Sequence, residues 1–238
     1  WATKASPACP SATPCSSLHL VGSVQRSWEL DGAELPSITT TTPIESIDAY
    51  GHSQTVTVET SDGFVKTTTN VYDTGPTNIA LWLLGRLTSS TVTMTRPDTN
   101  PAARSVTRTS TFTYKATAPN QGFLETENIE PNGALSDRLA TQYGYDAYGN
   151  RTSTTIAFHE NGVLKSRQST TSYEATGRFP QVITNAVNFS EVRVYDPRFG
   201  TLQLSTDANG VRTEHRYDDF GRKSATSVGT PPMFETYS

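Results

Sequence analysis

Residues 195–226 read YDPRFGTLQLSTDANGVRTEHRYDDFGRKSAT, a stretch that states its own opening twice. Tyr195-Asp196-Pro197-Arg198-Phe199-Gly200 returns 22 residues later as Tyr217-Asp218-Asp219-Phe220-Gly221-Arg222. Upstream lie Tyr145-Asp146-Ala147-Tyr148-Gly149-Asn150 and Tyr173-Glu174-Ala175-Thr176-Gly177-Arg178, the second with Glu for Asp and again 22 residues before Tyr195. Weaker copies begin at Ile47-Asp48-Ala49-Tyr50-Gly51, at Tyr72-Asp73-Thr74-Gly75 and at Tyr114-Lys115. Self-similarity at a fixed period decides the architecture before any other feature is read.

The repeat has a mechanical meaning. Asp at the first position of a four-residue turn bonds the backbone two residues on, and Gly at the fourth takes the positive φ that such a reversal needs. Tyr-Asp-x-x-Gly therefore ends one strand and reverses the chain, and the following Arg or Asn opens the next strand. A second series of turns lies midway: Thr60-Ser61-Asp62-Gly63, Pro131-Asn132-Gly133, His159-Glu160-Asn161-Gly162, Asn185-Ala186-Val187-Asn188 and Asp207-Ala208-Asn209-Gly210. Asn-Gly and Asp-Gly between extended runs are strong hairpin signals. Each repeat is thus two strands joined by a turn, and a lone hairpin is marginal in water, so neighbouring repeats must supply the pairing. The fold class is all-β, an antiparallel meander of hairpins forming a curved or spiralling sheet.

Composition agrees. Of 238 residues, 39 are threonine and only five are lysine, with 34% hydrophobic and 18% charged residues. That excludes a helical bundle, and the 22 aromatics argue against disorder. VTRTSTFTY (106–114) and SSTVTMTR (89–96) are strands that suit a sheet wet on both faces. Residues 1–37 are expected to form an irregular lead-in with one strand near Val21 to Leu30, and residues 38–238 the repeat domain. Ile79–Leu87, the most apolar part, reads either as a strand buried on both faces or as a short helix. Pro231-Pro232 should break the last strand.

The net charge of −4 and the absence of a Lys/Arg cluster exclude nucleic acid as the expected partner. The longest apolar run, Ile79 to Leu84, is far short of the ~20 residues that span a bilayer. The start at Trp1 and the lack of a signal peptide read as a processed or excised piece of a longer chain. Cys9 and Cys15 either close a short disulfide loop in an oxidising compartment or remain two free thiols.

Tyr-Asp-x-x-Gly-Arg/Asn at this period, in YDAYGNRTSTT (145–155) and in residues 195–226, resembles the Rhs/YD-repeat family, over roughly residues 44–228. DTGPTNIALWLLGRLTSSTVT (73–93) is similar to a stretch that precedes such repeats in large bacterial secreted proteins. The resemblance implies a sheet that spirals into a hollow shell, which in toxin-complex and polymorphic-toxin members encloses a toxic domain and in teneurins sits on cell-surface adhesion proteins. It implies a turn-forming and stacking role for Tyr145, Asp146, Gly149, Tyr173, Gly177, Tyr195, Asp196, Gly200, Tyr217, Asp218 and Gly221. A secreted, extracellular location follows from it, with neighbouring repeats of a longer parent chain, other copies of the chain, or an enclosed toxin domain as partners. The shell-plugging segment with its autoproteolytic Asp has no match, and some six or seven repeats make a partial shell only.

No catalytic, cofactor or metal site is expected. His19, His52, His159 and His215 are scattered, and no general base stands beside a marked nucleophile. Asp207-x-Asn209-Gly210 faintly resembles a calcium loop but lacks the later acid such a loop needs. Tyr145, Tyr148, Phe199, Tyr217 and Phe220 suit stacking between repeats, with glycan binding as the alternative. Asn150-Arg-Thr and Asn188-Phe-Ser match the glycosylation sequon.

Overall fold

The computed structural model describes residues 1–5, 16–97, 105–229 and 233–236. Cys9, Cys15 and Pro231-Pro232 lie outside the described residues, as do the expectations placed on them. The chain divides into two compact units, 1–113 with 127–138, and 114–126 with 139–238.

The first unit begins with a two-stranded sheet, β1 (Ala2–Ala5) against β2 (Ser16–His19). A meander follows: β3 (Gly22–Gln25), β4 (Ile38–Thr41), β5 (Thr55–Thr60), β6 (Val65–Tyr72), then a five-residue helix α1 (Pro76–Ala80), β7 (Leu87–Thr95) and β8 (Ser105–Tyr114). These strands lie side by side in chain order, each pair antiparallel. Strand β9 (Leu124–Ile129) has residues in both units. The second unit continues with β10 (Leu139–Tyr145), β11 (Arg151–Glu160), β12 (Val163–Tyr173), β13 (Pro180–Thr184), β14 (Ser190–Tyr195), β15 (Leu202–Thr206), β16 (Arg212–Tyr217), β17 (Lys223–Val228) and β18 (Met233–Thr236). It is again antiparallel in chain order. The fold is all-β, and the meander does not close into a barrel.

Residues 1–37, expected to be irregular, contain β1, β2 and β3, and residue 37 lies inside the first unit. The expected strand near Val21 to Leu30 is the four residues of β3, followed by an isolated bridge between Trp28 and Glu34. The apolar Ile79–Leu87 segment is neither one strand nor one helix. Pro76 at its first turn starts α1, a position where a missing N–H costs nothing. Trp82 then takes a φ of 56°, and a strand begins only at Leu87.

Threonine explains why so little apolar surface is needed. Across β7 and β8, Thr91 Oγ1 lies 3.3 Å from Thr109 Oγ1 and Thr93 Oγ1 lies 3.0 Å from Thr107 Oγ1. The β-branched Cβ stiffens the strand while the hydroxyl pairs across it. Among the described residues only Ile47 and Ala225 are buried hydrophobics. The sheet is held by its ladders and its turns more than by a core.

Candidate functional site

The repeated turns are the chemically distinctive part of the chain, and they are built alike. In the 146 turn, Asp146 Oδ1 accepts the N–H of Tyr148 and of Asn150, both at 2.9 Å, and the Gly149 N–H donates to Asp146 O at 3.2 Å. Asp218 Oδ1 accepts from Phe220 at 3.0 Å and Arg222 at 2.9 Å, while Arg222 Nε donates to Oδ2 at 2.7 Å. Asp48 receives Tyr50 and His52 N–H at 2.8 Å each. Glu174 reproduces the pattern with its longer side chain, taking the N–H of Thr176 and of Arg178 at 2.8 Å. Two of the midpoint turns use the same device: Asn185 Oδ1 accepts from Val187 and Phe189, and Asp207 Oδ1 from Asn209 and Val211. The calcium-like reading of Asp207 thus gives way to two backbone donors.

The 195 copy differs. Pro197 makes its turn one residue longer, so Gly200 N–H reaches Asp196 O from four residues on, and Asp196 N–H pairs with Thr201 O. Asp196 Oδ1 then accepts the Arg198 N–H at 2.8 Å, the Arg198 guanidinium spans both its oxygens at 3.2 and 2.8 Å, and Gln203 Nε2 donates to Oδ2 at 3.3 Å.

These contacts hold the carboxylates ionised. The Arg198 side chain, then its N–H, holds Asp196 at about 2. The Thr176 hydroxyl, then the Thr176 and Arg178 N–H groups, hold Glu174 at about 2. Asp218 is lowered chiefly by the Arg222 N–H. At Asp146 burial pushes upward, and the Asn150 side chain and N–H, with the Tyr148 and Gly149 N–H groups, outweigh it. A carboxylate that accepts several N–H bonds is a turn element and a poor proton acceptor.

Each repeat tyrosine sits where the strand register shifts. The irregularities fall at Tyr72, Tyr145, Tyr173, Tyr195 and Tyr217, so each turn is entered through a bulge that re-aims the ring. The hydroxyl of Tyr145 reaches back to Leu124 O at 2.8 Å and that of Tyr217 to Leu202 O at 2.8 Å. Tyr72 does the same to Ser53 O at 3.2 Å. Ring contacts join consecutive repeats: Phe123 meets Tyr145 edge-on at 5.2 Å, and Phe179 stacks on Tyr195 at 5.1 Å.

The turn glycines complete the joint. In the second unit, a side-chain carbon on Gly149 would press on Phe123, one on Gly177 would collide with the Tyr148 ring, and those on Gly200 and Gly221 would meet Phe179 and Phe199. An aromatic ring from one repeat thus lies across the turn glycine of the next. Two asparagines bolt the same steps. Asn120 Nδ2 donates to Asp146 O at 2.9 Å, and Asn150 Nδ2 donates to Asp146 Oδ2 at 3.0 Å and to Gly177 O at 2.6 Å. Asn150 belongs to the motif and to a sequon, and its Nδ2 is engaged at both donors. Its bridging role is invisible in the sequence, because Arg holds the corresponding place in the 173 and 217 copies and folds back on its own turn.

Among the described residues no three His, Cys, Asp or Glu side chains are grouped to hold a metal ion. His52 Nδ1 bonds Asp48 Oδ2 at 2.9 Å and stacks on Tyr72 at 4.9 Å, while His215 Nδ1 lies 3.1 Å from Thr226 Oγ1. Burial, then Lys223, lowers His215. An open groove of about 730 Å³ in the second unit is lined by Asp196, Arg198, Phe199, Glu214, Tyr217 and Asp218, among others. Asp196 and Asp218 are the same carboxylates that cap the turns. No described helix is long and apolar enough to cross a membrane.

No family model and no curated protein matches the chain. Among solved structures it is similar to TcdB2-TccC3 without its hypervariable C-terminal region, at 17% identity and a TM-score of 0.47, over 87% of this chain. The TcdB2-TccC3-TEV structure gives 16% and 0.45 over 90%, and the Photorhabdus luminescens Tc holotoxin pore 13% and 0.41 over 94%. This chain spans only 11%, 12% and 13% of the lengths of those three.

Proposed function

We propose that the chain is a non-enzymatic structural segment of a secreted Rhs-type YD-repeat protein. It builds part of a β-sheet wall that encloses or presents a toxin or effector domain. The observation that carries this reading is the joint between repeats, in which an aromatic of one turn covers the glycine of the next. Such a joint can be extended indefinitely and does no chemistry. The turn carboxylates Asp146, Glu174, Asp196 and Asp218 accept backbone N–H groups, and Asp196 and Asp218 also pair with arginine. Phe220, with 81% of its surface exposed, holds the place in its turn that Phe199 holds over Gly221, and suits a following repeat. The resemblance of residues 145–155 and 195–226 to YD repeats supplies the toxin or effector context.

The purified protein should be imaged by electron microscopy and screened on a glycan array and a panel of hydrolase substrates. The wall reading expects particles joined through sheet ends, with no saturable glycan and no turnover. Saturable glycan binding that Phe199→Ala abolishes would move the chain to the adhesion class, and turnover on any substrate would make it an enzyme.

A further inference from the structure

We infer that Asn161 is a site of spontaneous backbone-assisted deamidation, and that the fold directs this chemistry to it rather than to the other Asn-Gly pairs. The chain has three described pairs, Asn132-Gly133, Asn161-Gly162 and Asn209-Gly210. The reaction needs the glycine nitrogen as nucleophile. It loses its proton to solvent base and bonds to the asparagine Cγ, the Cγ–Nδ2 bond breaks, and ammonia leaves. Water then opens the cyclic imide at either carbonyl, leaving aspartate or isoaspartate. The net change is one water consumed and one ammonia released.

The three nitrogens differ in their engagement. Gly133 N–H donates to Glu130 O at 2.9 Å, and Gly210 N–H donates to Asp207 O at 3.0 Å. Asn209 is held further by its own N–H on Asp207 Oδ1 at 2.9 Å. Gly133 is also crowded, with Glu130 Cβ 3.1 Å from where its own side chain would start. The Asn161-Gly162 pair is the two-residue loop between Glu160 and Val163, with φ of 53° and 77°. Positive φ at both residues is the reversal that matches strand twist, and it leaves the second residue's N–H pointing away from the ladder. Gly162 N–H has no partner among the described residues, and nothing lies within 4 Å of where its side chain would start. Both residues are exposed.

The product matters to the hairpin that carries it. Isoaspartate adds a methylene to a two-residue loop whose register is fixed by positive φ at both positions. It also places a second carboxylate beside Glu160, which is paired with Lys165 across the loop. The joint of β11 and β12 would loosen at its tip while the turn at 173–178 remains intact.

The folded protein is held at mildly alkaline pH and sampled over days by peptide mass mapping, with isoaspartyl methyltransferase labelling to count isoaspartate. Conversion at Asn161 should outpace that at Asn132 and Asn209 by about two- to tenfold, the factor by which one net hydrogen bond holds a turn closed. In urea the three rates should converge. Asn161→Gln should remove the fast signal and leave the other two. Equal rates in the folded protein, a slower rate at Asn161, or a difference that persists in urea would each overturn the assignment.

Discussion

Replacing Gly177 by alanine tests the joint between repeats at its tightest point. Gly177 has a φ of 71°, a conformation that costs an L-residue about 1–2 kcal/mol. The added methyl also collides with the Tyr148 ring, which must move and give up the bond from its hydroxyl to Ala175 O at 3.2 Å, worth about 0.5–1.5 kcal/mol. The two terms together give about 1.5–3.5 kcal/mol. At roughly 2–4 °C per kcal/mol for a chain of this size, that is a Tm loss of about 3–14 °C. Two comparisons separate the terms. In a Tyr148→Ala background the collision is gone, so Gly177→Ala should cost only the backbone part. Gly162→Ala, at φ 77° with nothing within 4 Å, should likewise pay only that part. Urea denaturation of the four variants and the parent measures all of these. A Gly177→Ala cost within about 0.5 kcal/mol of Gly162→Ala, or one unchanged by removing Tyr148, would refute the idea that the ring occupies the glycine's face.

Other consequences follow from the same geometry. Asn150→Ala removes the bridge to Gly177 O and should cost about 1 kcal/mol or more, and Asn150→Arg should not restore it, since the arginines in the 173 and 217 copies pair only within their own turns; denaturation midpoints check both. Tyr217→Phe loses the bond to Leu202 O and should cost about 1 kcal/mol, with Tyr145→Phe similar. Acid should loosen the turns late. Glu174 and Asp196 fall from ordinary values of 4.5 and 3.8 to about 2 in the folded chain, so their contribution is complete above those ordinary values and fades as pH drops towards about 2. A thermal melt series from pH 6 to pH 2 should therefore keep a nearly level Tm until about pH 4.5 and decline below it, and a decline centred on pH 6 would contradict this.

The turns were the legible part of the sequence, because Asp, Asn and Gly act locally: a side-chain oxygen reaches two residues on whatever surrounds it. Strand identity followed, since threonine-rich runs between such turns have no helical period. The joint between repeats was not legible. Phe123 and Phe179 stand at different offsets from their own turns, and only the stacking of strands brings them onto Gly149 and Gly200. Pro197 shows the opposite limit, since one extra residue is easy to overlook in the motif yet changes which donors Asp196 receives. The Ile79–Leu87 segment resisted assignment because its short apolar run, Ile79 to Leu84, fits either period, and the deciding residue, Pro76, lies outside it.

Native-state hydrogen exchange on Gly177→Ala tests most directly whether the repeats form one interlocked wall. Amide exchange should be faster at 174–178 and also at the flanking turns, 146–150 and 196–200, with the 48–51 turn of the first unit unchanged. Faster exchange confined to 174–178 would mean that the turns are independent hairpin ends, and the wall reading would fail.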